Sequence, residues 1–348
     1  MIRRFAISLL CCLLALTLSA QRRKSKKDIE PKPQVLEVLP ELPDAISGDS
    51  AHLAFQISPL SAKGLLSQQI RDALKALDQQ RHGATIIKLR AFVAGSGDLR
   101  RVKDIVAEEF TERHLPLPVL TTVQVGALPM VGAQVVIESM ALDRRPANPS
   151  GIVLFSAVPA PDTTAALREF SASVESAGLK PANILKITCF LGDLNGSGRA
   201  DVIAAFPAAS INLVQMQRLG IEPQAACEGV GRMESPPPTS ISFSKRSAIL
   251  NSPKMVFTGA QMVFRDQPAD VSLAFQRLAR TMQTLGVGYK NVVWAGAYAL
   301  SLTDAKQLAD LQWDFLDRNK PPSGTSLLFE GLPSGDATAA MEFIAVGN

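Results

Sequence analysis

The sequence predicts an α+β protein in which one unit of roughly 100 residues occurs three times, each a mixed sheet with two helices on one face. Three observations carry this: three long strand segments of matching pattern, a helix-periodic stretch before each, and one acid on each closing strand. The long strands are residues 84–92, 182–190 and 290–298, rich in β-branched and aromatic residues that favour extended chain over helix.

The remaining elements follow in order. The helices before the long strands place apolar residues three and four apart: Leu66, Ile70, Ala73, Leu74 and Leu77, then Leu167, Phe170 and Val174, then Leu278, Met282 and Leu285. A second helix after each strand ends on Phe110, Phe206 or Phe315, which lie 18, 16 and 17 residues beyond the strand aromatics Phe92, Phe190 and Tyr298. A turn follows, at Leu128-Pro129, Leu219-Gly220 and Leu332-Pro333, and the closing strands carry Glu138, Glu228 and Glu342. Breaker-rich stretches at 143–149 and 235–238 divide the chain into units 35–145, 146–235 and 236–348, the second most degenerate and the third best preserved. A sheet covered on one face by helices meets the two-layer requirement of a small domain.

Residues 1–20 read as a signal peptide, with a basic start, an apolar run from Phe5 to Leu18 and small residues after it. An uncleaved anchor is the alternative, because the linker at 21–34 opens on a basic run and turns Pro-rich. The expected location is periplasmic or secreted. Residues 1–27 hold seven cations and no acid, so the formal +4 of the whole chain leaves −3 for the rest. The folded part is mildly acidic, and a nucleic-acid partner is not expected. A hydrophobic fraction of 47% excludes a disordered chain.

Cys189 and Cys227 are expected as buried single thiols, with pairing as the alternative. His52, His82 and His114 have no spacing suited to a metal or a triad. No cofactor is expected: there is no Walker loop or dinucleotide fingerprint, and Gly286-Val287-Gly288 reads as a turn. Asp193, Asn195, Ser197 and Asp201 resemble a calcium loop, but position twelve is Ala204 rather than Glu, and a strand-to-helix connection explains the stretch equally. Trp294 and Tyr298 are expected to pack against a helix, with the lining of a pocket as the alternative.

In order and repetition these segments resemble the RidA (YjgF, reactive-intermediate deaminase) family. The third unit is similar through Met255-Val256-Phe257-Thr258-Gly259-Ala260-Gln261, Leu285-Gly286-Val287 and Leu332-Pro333 up to Glu342-Phe343-Ile344-Ala345. The first matches at Leu128-Pro129 and Glu138-Ser139-Met140-Ala141, the second at 175–191. The resemblance implies a chorismate-mutase-like fold, normally a homotrimer with ligand clefts between neighbours. Three copies in one chain then imply an internal pseudo-trimer and a monomer in solution.

The resemblance also implies an arginine that clamps a substrate carboxylate, for which a guanidinium fork is suited. Its position is held by Leu120 in the first unit and Gly324 in the third, and by Ile211 in the second, with Ala209 as an alternative register. The family's ligand-facing acid is replaced by Val136, Ala226 and Ala340. Glu138, Glu228 and Glu342 remain as candidate bases, or as structural acids bonded to backbone donors or a neighbouring unit. Phe257, Thr258, Gly259 and Gln261 are the expected ligand-cleft residues. The favoured function is an exported protein binding a small ligand or a protein partner without imine hydrolysis. The alternatives are an imine deaminase or other hydrolase using Glu342 or main-chain groups at 259–261, and a structural scaffold.

Overall fold

Period-two alternation gives each long strand a helix-facing side and a second side that must also be covered. In the computed structural model the described residues are 38–194, 198–217 and 224–347. The signal peptide, the linker at 21–34 and the turn Leu219-Gly220 lie outside them. Of a first unit, Met1–Leu39, only Val38 and Leu39 are described, both exposed; all that follows concerns Pro40 onward.

After a short edge strand β1 (Ala45–Gly48), the first sheet is built from β2 (Leu53–Ile57), β3 (Thr85–Ala94), β4 (Val119–Val125) and β5 (Val135–Leu142), in the order β2-β5-β3-β4. Helices α1 (Leu66–Gln80) and α2 (Arg100–Glu112) cover one face, and α2 is the crossover that makes β3 and β4 parallel. The second sheet uses β6 (Ile152–Phe155), β7 (Ile184–Leu191), β8 (Ser210–Gln215) and β9 (Ala225–Arg232) with α3 (Thr163–Ser176) and α4 (Gly198–Ala205). Its order is β6-β9-β7-β8, again with one parallel pair, β7 and β8.

A hairpin of β10 (Ile241–Phe243) and β11 (Ser247–Leu250) leads to the third sheet. That sheet holds β12 (Met255–Thr258), β13 (Gln261–Phe264), β14 (Val292–Ala299), β15 (Ser323–Leu328) and β16 (Ala337–Val346), with α5 (Pro268–Thr284) and α6 (Leu302–Leu311). The path β12-β16-β14-β15 repeats the strand order of the other two, and β13 continues beside β16.

Sheet membership does not follow the sequence boundaries at 145/146 and 235/236. β1 pairs with β12 of the third sheet, and β11 pairs with β6 of the second. Ahead of β6, Asn148 reaches the first sheet's edge, its amide N–H bonding Ala51 O and its side chain donating to Leu53 O at 2.7 Å. Unpaired strand edges favour added strands, so each leading segment covers a neighbour's edge.

One apolar cluster lies between each sheet and its helices, centred on Ile70 and Val106 in the first, on Phe170 and Phe206 in the second, and on Phe275 and Leu278 in the third. Two further clusters are shared by all three sheets. One gathers Phe92, Phe190, Tyr298 and Phe329, and the other Leu53, Leu154, Phe257 and Trp294. Trp294 and Tyr298 therefore pack on the faces turned away from the helices, a correction to the helix contact expected for them. Alternation puts both on the same side as Gly296, opposite the helix-facing positions.

The cysteines are also corrected: Cys189 and Cys227 form a disulfide. They are direct cross-strand partners on β7 and β9, with Cα atoms 4.1 Å apart. Spacing along the chain does not reveal register, and register is what brings them together.

Candidate functional site

Where the non-helical faces of the three sheets meet, a layer of ionised side chains lies between the two shared apolar clusters. The strand register builds it. Arg90, Thr188 and Gly296 stand opposite Glu138, Glu228 and Glu342, and beside Thr121, Asn212 and Thr325 on the parallel strands. Two residues earlier come Lys88, Lys186 and Trp294. The three cations and three acids are each at most 5% exposed along their side chains.

Each carboxylate is bound by a neighbouring sheet. Glu138 accepts from Lys186 Nζ at 2.6 Å, Thr188 Oγ1 at 2.6 Å and Asn212 Nδ2 at 2.7 Å, all from the second sheet. It also accepts from Arg90 Nε at 3.0 Å and Nη2 at 2.8 Å. Glu342 accepts from Lys88 and Thr121 of the first sheet and from Tyr298 Oη at 2.5 Å. Glu228 accepts from Thr325 of the third sheet and from Arg90. Lys88 Nζ also donates to Thr258 O at 2.6 Å.

Burial opposes ionisation of Glu138, but Arg90 and Lys186 outweigh it and hold the carboxyl well below the usual carboxylate range. Burial likewise opposes ionisation of Glu342, which Lys88 and Arg90 hold low. Burial pulls the Lys88 ammonium below the ordinary lysine value against the attraction of Glu342. Burial and then Glu342 push the Tyr298 phenol well up, so it serves as a donor.

The three glutamates sit in this layer rather than in a cleft. Their partners are side chains, from neighbouring sheets and, for Arg90 on Glu138 and Tyr298 on Glu342, from the same sheet, rather than the backbone donors that were one expectation. Among the described residues a cavity of about 30 Å³ touches Glu228 and Glu342, while the cavities of about 380, 390 and 410 Å³ are lined by none of the three. Sequence reasoning missed Lys88, Arg90 and Lys186. The available signal was a charged side chain inside an otherwise apolar strand, at one aligned position in two copies.

Three larger cavities lie at the margins where sheets meet. One of about 410 Å³ lies between β4 with α2 and the β12–β13 segment, lined by Leu99, Leu120, Thr122, Gln261, Met262 and Leu278 among others. Another of about 380 Å³ joins the end of β2 to β8, through Ile57, Val136 and Ile211. The last, of about 390 Å³, joins the segment after β6 to β15, through Ala157, Trp313 and Gly324.

Leu120, Ile211 and Gly324 hold equivalent register positions, paired with Leu89, Ile187 and Ala295, and each lines one cavity. Ala209 lies ahead of β8, which begins at Ser210. A Cβ on Gly324 would lie 2.1 Å from Ala295 O, so no side chain fits there without moving the strand. Of the expected cleft residues, Gly259 and Gln261 line the 410 Å³ cavity. Phe257 is 1% exposed in a shared apolar cluster, and Thr258 is fully buried, its hydroxyl accepting from Phe343 N–H at 2.9 Å.

Asn195 and Ser197 of the calcium-like stretch lie outside the described residues, while Asp193 and Asp201 fall within them. Among the described residues no His, Cys, Asp and Glu group is arranged to hold a metal, and no helix is long and apolar enough to cross a membrane.

No family model and no curated protein matches the chain. Solved structures do match part of it. Rv2704 of Mycobacterium tuberculosis, a member of the YjgF/YER057c/UK114 family, is 14% identical, covering 27% of this chain and 79% of its own, with a TM-score of 0.25. RidA from the Antarctic bacterium Psychrobacter sp. PAMC 21119 is 18% identical over 27% of this chain and 80% of its own, with a TM-score of 0.25. E. coli TdcF with bound serine is 19% identical over 32% of this chain and 89% of its own, with a TM-score of 0.26. These solved structures, among them members of the YjgF/RidA family, each align with 27–32% of this chain.

Proposed function

We propose that this chain is three RidA-like units in one polypeptide, closed around the central ion layer as an internal pseudo-trimer, exported, and binding a small molecule between units without hydrolysing imines. Three sheets of the same strand order, each covered by two helices, support the three-unit reading. The Cys189–Cys227 disulfide supports an oxidising compartment.

One observation carries the functional reading: Leu120, Ile211 and Gly324 each line a marginal cavity without bringing a guanidinium to it from the strand, the cavity arginines being Arg100, which is paired with Asp98, and Arg199, both on helices. The cavity volumes, about 380–410 Å³, are within the range that holds a small molecule. The 410 Å³ cavity is lined by apolar Leu99, Leu120, Met262 and Leu278, by Thr122 and Gln261, and by the charged Asp44, Arg100, Lys103 and Asp104, whose two cations and two acids balance. That lining, with its charges balanced, supports a ligand of no net charge that has an apolar part and a few hydrogen-bonding groups. A planar 2-imino acid needs a well-held guanidinium for its carboxylate; the buried Arg90 is held by Glu138 and Glu228, and Arg100 at the 410 Å³ cavity is exposed and paired with Asp98.

The test is ammonia release from 2-iminobutanoate by the purified chain, together with titration of a neutral apolar fluorophore such as N-phenylnaphthylamine. Background ammonia release and saturable probe binding are expected. Robust turnover overturns the reading, and so does a failure to bind the probe saturably. Light scattering is expected to give one chain per particle.

A further inference from the structure

The central layer is not symmetric, and its asymmetry has a pattern. Resting on the three-unit reading, each unit can be characterised by the charge it brings. The first sheet supplies Lys88, Arg90 and Glu138, a surplus of one positive charge. The second supplies Lys186 and Glu228 and is neutral. The third supplies Glu342 without a cation, because Trp294 and Gly296 stand where the first sheet has Lys88 and Arg90. Together the layer is neutral.

Lys88 reaches from the first sheet to Glu342 of the third, and Lys186 from the second to Glu138 of the first. The same step repeated would send a third-sheet lysine at position 294 to Glu228. Trp294 cannot fill that role, and Arg90 of the first sheet binds Glu228 instead. Its Nη1 points at the Tyr298 hydroxyl of the third sheet at 3.4 Å. The third sheet leaves room for this. Gly296 adds no side chain at the position of Arg90, and a Cβ there would meet the Trp294 ring at 2.7 Å. Thr121, Asn212 and Thr325 keep their equivalent bonds to Glu342, Glu138 and Glu228. The break is therefore confined to the cation positions.

We propose that the central layer is a recognition surface in which the cation-rich face of the first unit and the cation-free face of the third fit each other and not their own copies. Arg90 supplies the charge that a lysine at 294 would otherwise bring. Three first units together would bury three surplus positive charges, and three third units three unpaired carboxylates. Unpaired charges at such depth are strongly disfavoured. Like-charge juxtaposition of this kind is how interfaces reject wrong partners. The kind of partner each of these two faces accepts is a unit of complementary charge, which this polypeptide supplies itself.

The experiment is a charge relocation in the full chain. Arg90→Thr alone leaves Glu228 with Lys186 at 4.0 Å and no hydrogen-bonded cation and is expected to lower the melting temperature by about 6 °C. Trp294→Lys alone adds a fourth cation and is expected to lower it by a similar amount. The double variant R90T/W294K returns the layer to three cations in equivalent places and is expected to recover at least half of the R90T loss. The control R90T/W294M removes the ring without adding charge and is expected to recover nothing. Additive losses in R90T/W294K, equal recovery by R90T/W294M, or an unchanged melting temperature in R90T each overturn the proposal. Light scattering of the unmodified chain separates this from the underlying reading: three chains per particle would refute the internal assembly itself.

Discussion

Glu138→Gln is the sharpest single perturbation of the central layer. The carboxylate accepts hydrogen bonds from Arg90 through two nitrogens, and from Lys186, Thr188 and Asn212. The residue is 3% exposed, so water offers little compensation. Removing one partner of a buried ion pair costs about 3–5 kcal/mol. The amide adds a second defect, because its NH2 must face either the two cations or the Thr188 and Asn212 donors. A donor left unmatched at depth adds about 1–3 kcal/mol. With partial relaxation, a net loss of about 4 kcal/mol is expected, or about 6 °C in melting temperature at the usual unfolding entropy per residue. Urea unfolding followed by circular dichroism measures it. The partner variant Lys186→Met, alone and combined with E138Q, is expected to show a coupling of about 2 kcal/mol. A stability of E138Q within about 1 kcal/mol of the parent would refute the claim that this layer holds the sheets together.

Acid should act through the same groups. Glu138 and Glu342 are held below their unfolded values, so their stabilisation is complete above about pH 4.3 and declines as pH falls toward their folded values. Urea midpoints are expected to be level from about pH 7 to 5 and to fall steeply below about 4, less steeply in E138Q; a midpoint unchanged down to pH 3 contradicts this. Replacing both Cys189 and Cys227 by Ala opens a loop spanning 38 positions and is expected to cost about 3–4 kcal/mol, read as a lower urea midpoint. Gly324→Ala is expected to destabilise by at least about 2 kcal/mol, because its Cβ would meet Ala295 O at 2.1 Å. Leu120→Arg, facing an open cavity, is expected to fold and to gain calorimetrically detectable binding of 2-oxobutanoate, which the parent lacks.

Much of the local structure was legible along the chain. Leu66, Ile70, Ala73, Leu74 and Leu77 predict α1 by their spacing, and all are buried on one side of it. The aligned strands place Leu120, Ile211 and Gly324 in one column, and the register keeps them there. The cysteine pair was not legible, because pairing depends on which residues of β7 and β9 stand opposite. Nor was the strand exchange at β1 and β11, since an edge's preferred partner is set by what lies nearby after folding.

By itself the sequence determined which segments become strands and helices, because periodicity and β-branching act within a few residues. It also determined that Lys88, Arg90 and Lys186 occur inside apolar strands. Only the tertiary structure decided that Lys88 meets Glu342 across 254 positions and that Arg90 meets Glu228 across 138. A buried charge takes whichever opposite charge packing brings within reach, and that choice is made between sheets rather than along the chain.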